Sequence, residues 1–192
     1  MGETGPAPAS PLAAKPNRRV ARKRTWEDSR CATQSGGPYH WHHFSAPGAT
    51  DDVWNEVVDA ISTAVSARVR DPIVAARVAS GFLGDIQGVL NQAAKGRLRG
   101  ANRLFPIHQH PLVWELRWDF KKTGVFRLYH AEPTGHPQLL VSLWFHRKYT
   151  GGAYAEIKAA QDVEIGSAVN RYREGVKSAW GHTARCPHCP EP

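Results

Sequence analysis

Apolar positions along the chain follow two spacings. Trp54, Val57, Val58, Ile61 and Val65 recur at helical intervals, forming one stripe on a first helix. Asp51 and Asp52 precede it, where the positive end of a helix dipole favours carboxylates. Pro72 restarts the chain into a second helix, expected from about Asp71 to Lys95 and ended by Gly96. Residues 97–111 read as a loop closed by Pro111. The spacing then changes to two. In Val113–Phe120, Trp114, Leu116, Trp118 and Phe120 alternate with Glu115, Arg117 and Asp119. Gly124 opens a second strand, with Phe126 and Leu128 on one face and Arg127 and Tyr129 on the other. A third runs from Gln138 to about Lys148, where Leu139, Val141, Leu143 and Phe145 alternate with Leu140, Ser142, Trp144, His146 and Lys148. Three neighbouring alternating segments predict an antiparallel meander with one buried face. A short strand over Tyr39–Phe44 precedes the helices, and a last helix carries Ile165, Val169, Tyr172 and Val176. The expected architecture is α+β, in the order β-α-α-β-β-β-α, with an antiparallel sheet packed on helices.

Composition adds the ends of the chain and a charge. Residues 1–36 are rich in Pro, Ala, Gly and Ser and carry Arg18, Arg19, Arg22, Lys23 and Arg24. Such a segment buries too little apolar surface to offset its ordering entropy, so a disordered basic arm is expected there. The folded domain is then expected over residues 38–178 and a Cys/His-containing tail over 181–192. Lys and Arg outnumber Asp and Glu by 25 to 17, for a formal charge of +8. That excess favours a polyanionic partner. The longest strongly apolar run, Leu139–Phe145, is far short of the ~20 residues that a bilayer requires. With no signal-peptide-like segment and three cysteines that form no disulfide framework, a soluble cytoplasmic protein with no membrane partner is expected.

Packing the apolar faces on the helices would leave Arg117, Arg127, Tyr129, His146 and Lys148 together on an open face, with Arg147 at the strand end. RNA cleavage by its own 2′-OH needs a base, an acid and cations around the pentavalent phosphate, and these residue types supply all three without a metal or other cofactor. Arg127, His146, Arg147 and Lys148 are the candidate catalytic residues, with Arg117, Arg97, Arg99 and Arg103 as RNA contacts. Each has a plainer reading. In one even register Arg127 faces Asp119 in a cross-strand ion pair, and in the other it faces Arg117. On the plainer reading His146 is a surface strand residue, Arg147 and Lys148 are solvated edge charges, and Glu115 is the partner of a neighbouring arginine. Cys186-Pro-His-Cys189, preceded by His182, has the spacing of half a zinc site that His182 or Cys31 would complete. The site itself is expected to hold no metal.

Leu112–Arg117 (Leu-Val-Trp-Glu-Leu-Arg), Val125–Tyr129 (Val-Phe-Arg-Leu-Tyr) and Leu143–Lys148 (Leu-Trp-Phe-His-Arg-Lys) together resemble the signature of the RelE/ParE toxin superfamily, in its HigB-like, phage-derived branch. The resemblance spans residues 38–178 and is tight over 112–160. It implies a RelE-like fold and a toxin that cleaves mRNA, on the ribosome, under the control of a helix-turn-helix antitoxin. It implies Arg127 as the phosphate-stabilising arginine, Arg147 and Lys148 as the basic pair, and Tyr154 as the late aromatic residue. The chain departs from the pattern at Arg147, which stands where the first lysine is usual, and at Gly151–Gly152, which replaces a longer turn. Two other readings stay open: a ParE-like inhibitor that acts by binding, and a RelE-fold protein that binds a host factor without catalysis.

Overall fold

A computed structural model of the chain describes residues 23–32, 37–49, 52–99 and 103–182. Its elements are β1 (His40–His43), α1 (Val53–Ser66), α2 (Pro72–Ala94), β2 (Leu104–Pro106), β3 (Val113–Phe120), β4 (Gly124–Ala131), β5 (Leu139–Arg147) and α3 (Tyr154–Gly175), with 3-10 turns at Trp26–Asp28 and Val176–Gly181. The helices begin where local chemistry allows. Asp52 accepts hydrogen bonds from the Trp54 and Asn55 amides, and Asp71 from those of Ile73 and Val74, with Pro72 at the first turn of α2.

The fold is α+β, and the sheet is mixed rather than antiparallel. Its strand order is β1-β5-β4-β3-β2, and β1 runs parallel to β5. A direct hairpin cannot join parallel neighbours, and the helical pair α1–α2 lies in the connection that separates β1 from the meander. The stretch read as a loop over 97–111 contains β2, an antiparallel edge strand that pairs Leu104 with Leu116 and Pro106 with Trp114. Proline is tolerated there because an edge strand needs no full ladder of donors.

The largest departure concerns the polar face, which is covered. On the apolar face, Phe126 and Phe145 stack at 5.7 Å, and Phe82 of α2 stacks on Phe120 at 4.1 Å. On the opposite face α3 lies over the sheet: Gln161 donates to Glu115 at 3.2 Å and Glu164 accepts from the Trp144 indole at 2.5 Å. Of the residues expected on an open surface, Arg127, Tyr129 and His146 are therefore buried in a polar layer with Glu115, while Arg117 and Lys148 stay partly exposed.

Both ends of the folded unit extend beyond 38–178. Ser29 and Cys31 are fully buried, the Leu98 amide donates to the Cys31 carbonyl, and Arg24 sits 4.0 Å over the Trp114 ring. At the other end Trp180 is buried, its indole donating to the Tyr172 carbonyl at 2.9 Å. Arg18, Arg19 and Arg22 of the basic arm lie outside the described residues, as do Cys186 and Cys189 of the tail. α2 is long and apolar enough by composition to cross a membrane, although no long unbroken apolar run marks it in the sequence. Here it packs through Ala75, Ala79, Ile86, Leu90 and Ala93.

Candidate nucleic-acid interface

The register of the β3–β4 hairpin sets the site. Thr123 closes the turn onto the Phe120 carbonyl, and Lys122 adopts a left-handed backbone. Arg117 then pairs with Arg127, while Asp119 faces Val125, so of the two even registers the one that sets the arginines together is realised. Two guanidiniums side by side need an anion between them, and the chain supplies it. Oε1 of Glu115, fully buried, accepts from both Arg117 and Arg127. Glu115 is thus a structural partner of the arginines. Burial of both guanidiniums lowers their pKa, but arginine stays charged at any ordinary pH.

His146 lies opposite Arg127 across β4–β5, its ring stacked on Tyr129 at 5.6 Å. It is 9% exposed, and neither ring nitrogen closes a well-formed hydrogen bond, the Glu164 carboxylate standing 3.8 Å away. Burial, reinforced by the Arg127 charge and opposed by Glu164, lowers its pKa. Tyr129, buried beside it, is pushed up to about 12 by desolvation. His146 therefore belongs to the covered layer and stays neutral near pH 7.

Lys148 is different. Its amide donates to the Val125 carbonyl at 2.8 Å, which sets it beside the hairpin, and its side chain is half-buried. Desolvation first, then the charges of Arg127 and Arg117, lower its pKa. Arg147 is exposed on the other side of the strand end. Gly124, at φ +146°, makes room for it: a Cβ there would lie 2.6 Å from the Arg147 Nε.

Three shallow grooves meet in this region. The first, of about 650 Å³, is lined by Gly84, Asp85, Gln92, Arg97, Arg99 and Arg103 among others. The second, of about 480 Å³, is lined by Asp85, Arg103, Arg117, Asp119 and Arg127 along the edge of β3 beyond β2. The third, of about 250 Å³, is lined by Arg68, Asp119, Lys122, Arg147 and Lys148. Asp85 and Arg103 are common to the first two grooves, and Asp119, Phe120 and Val125 to the last two. The three thus form one continuous path with nine basic side chains against two acidic ones. Arg97, Arg99, Arg103, Arg117, Arg127, Arg147 and Lys148 all line it. Tyr154, 82% exposed at the start of α3, lines none of the three. Arg68 and Lys122 complete the path and were not singled out in the sequence. Lys122 lay in a turn between two strands, and Arg68 at the end of a helix, where lone cations are ordinary.

Comparison with known protein families, characterised proteins and solved structures returns no match.

One further cluster was missed in the sequence. Cys31, His130 and Glu132 meet in the interior at the far end of β4. Cys31 is therefore engaged away from His182, whose ring lies 5.1 Å from that of His40 and 5.5 Å from that of His42.

Proposed function

We propose that this protein binds single-stranded RNA along the cationic path and cleaves it without a metal, as the toxin of a toxin–antitoxin pair on a RelE-like fold. The observation that carries the reading is the continuity of the path. Nine basic side chains spread over three adjoining grooves, two of them joined by Glu115, suit an extended polyanion better than one small anion. The resemblance of β3, β4 and the end of β5 to the RelE/ParE signature supplies the class of reaction. A soluble protein acting on mRNA in the cytoplasm, held in check by a helix-turn-helix antitoxin, belongs to the same reading.

In that chemistry the 2′-oxygen attacks phosphorus, its proton passes to a base, and the 5′-oxygen leaves with a proton from an acid. The groups that meet the phosphate are Arg117 and Lys148, with the buried Arg127 adding its charge beside Arg117. Lys148, its pKa lowered by partial burial first and by the neighbouring arginines second, takes the 2′-OH proton and returns it to the leaving 5′-oxygen. His146 stays outside the chemistry, stacked on Tyr129 in the covered layer.

A second reading, binding without cleavage, is favoured by one observation. Arg127 is already engaged by Glu115, and His146 lies under α3.

The distinguishing experiment incubates labelled single-stranded RNA with the full chain in excess chelator, with and without ribosomes. The proposal expects fragments ending in a 2′,3′-cyclic phosphate, with a 5′-hydroxyl on the downstream piece. Lys148→Ala loses about 10²–10⁴-fold in rate while RNA affinity falls little, and His146→Gln stays within a few-fold of the parent. Tight binding with no cleavage, with or without ribosomes, establishes the second reading. Absence of binding removes both.

A further inference from the structure

At the end of β4 away from the β3–β4 turn, three side chains of different chemistry converge. Cys31 follows the Trp26–Asp28 turn, His130 lies within β4, and Glu132 follows it directly. All three are buried, at 0%, 0% and 7% exposure. Cys31 Sγ is 3.3 Å from His130 Nε2, and that same nitrogen is 3.6 Å from Glu132 Oε1. The three atoms all lie within 4.8 Å of one another.

These separations are those of a metal's coordination shell. Zinc binds thiolate at about 2.3 Å and imidazole or carboxylate at about 2.0–2.2 Å. A tetrahedral ion therefore holds sulfur and nitrogen about 3.5 Å apart and nitrogen and oxygen about 3.3 Å apart. A thiol–imidazole hydrogen bond explains the first distance alone. It does not explain why Nε2 also faces a carboxylate oxygen just beyond bonding range, while Nδ1 of the same ring finds no partner. We propose that Cys31, His130 and Glu132 bind one divalent ion of the zinc class, which ties the segment before β1 to the sheet.

The surroundings suit such an ion. Thiolate and carboxylate together balance its charge, and the Arg30 side chain is 3.7 Å from the second oxygen of Glu132. That oxygen also accepts from the Arg30 amide at 3.0 Å, and the Ser29 hydroxyl donates to Oε1, so the carboxylate is oriented from outside the shell. Glu132 also borders a groove of about 330 Å³ lined by Arg24, Asp28, Arg30, Leu112 and Trp114, which supplies a route in from solvent. The ligands come from residues some hundred positions apart, so binding requires the folded chain and stabilises it. The inference is independent of RNA cleavage.

The test uses the full chain carrying Cys186→Ser and Cys189→Ser, so that the tail offers no thiolate. The chain is stripped with chelator, exchanged into buffer and titrated with Co²⁺ and then Zn²⁺. We expect one equivalent of cobalt bound, with a charge-transfer band of single-thiolate intensity that zinc bleaches. Zinc at about a hundredfold above its dissociation constant should raise the thermal midpoint by roughly 5–10 °C. Cys31→Ser should lose the band and His130→Gln most of the zinc-induced shift. If either single variant fails to fold, the tail-substituted parent still decides. A cobalt spectrum without a thiolate band, or the absence of any stoichiometric binding, leaves the trio as a hydrogen-bonded cluster and overturns the proposal.

Discussion

Glu115 is the residue on which the polar layer turns. Its carboxylate is buried and joins two arginines that the register forces together. Removing Arg127 leaves Glu115 paired with Arg117 but loses a buried hydrogen bond between charged groups, at a cost of about 1.5–3 kcal/mol. Arg127→Ala should therefore lower stability by about that amount, read as a shifted denaturation midpoint at constant m-value. An unchanged midpoint would place Arg127 in solvent contact and return it to the role of an accessible phosphate ligand. Loss of activity in Arg127→Ala is consequently poor evidence of a catalytic part, whereas Lys148→Ala, at a half-buried strand end, is informative. A second residue-scale effect concerns acid. Burial holds the His43 imidazole down to about 4, against an ordinary value of 6.5, beside the Trp54 ring. The folded pKa lies below the unfolded one, so the unfolded chain takes up the proton first. The stabilisation is complete above about pH 6.5 and is lost as pH falls towards about 4. Thermal midpoints measured from pH 7 to pH 4 should fall, and His43→Phe should flatten that fall. A parallel decline in the variant would assign the acid sensitivity to other groups.

Among the elements, α3 differs in kind from the other helices. Only Ile165, Ala168 and Gly175 of its residues are buried, and polar contacts hold much of it. Glu164 accepts from Trp144, Gln161 donates to Glu115, and Arg171 pairs with Glu56 of α1 at 2.5 Å while lying 4.2 Å over the Trp144 ring. An element with so little apolar burial opens at lower free energy than a sheet core. Amides of α3 should therefore exchange with deuterium well before those of β3–β5, and Arg171→Ala should speed α3 selectively. Equal protection of helix and sheet would show that the polar contacts bind it as firmly as a core. This helix also explains what the sequence hid. Alternation in Val113–Phe120 and in the strands after it was strong enough to give their bounds and their facing. Nothing in Gln161 or Glu164 marked them as inward-facing, because a polar residue over a polar layer reads like one over water. β2 was hidden for another reason. Three residues ending in Pro106 are too short to show a period and sit among arginines. Cys31 and His130 meet across 99 positions, and a spacing that long carries no local signal.

For the whole molecule, the charge excess visible in the composition becomes a located feature. Arg97, Arg99 and Arg103, scattered over seven positions of apparent loop, open a path that Arg117, Arg147 and Lys148 continue. The candidate residues were legible one by one because cations in a strand or loop are easy to see. Their continuity depended on the packing of α2 beside the free edge of β3, which no periodicity foretells. The central claim is that this path carries an RNA backbone, and the most direct measurement is the salt dependence of single-stranded RNA affinity. Each phosphate neutralised contributes about 0.7 to the slope of log affinity against log salt. The full chain should show a slope of several units. The variant Arg97→Ala/Arg99→Ala/Arg103→Ala should bind more weakly, with a slope shallower by about two. A triple variant whose affinity and slope equal those of the parent would contradict the account and move RNA, if it binds at all, away from the grooves.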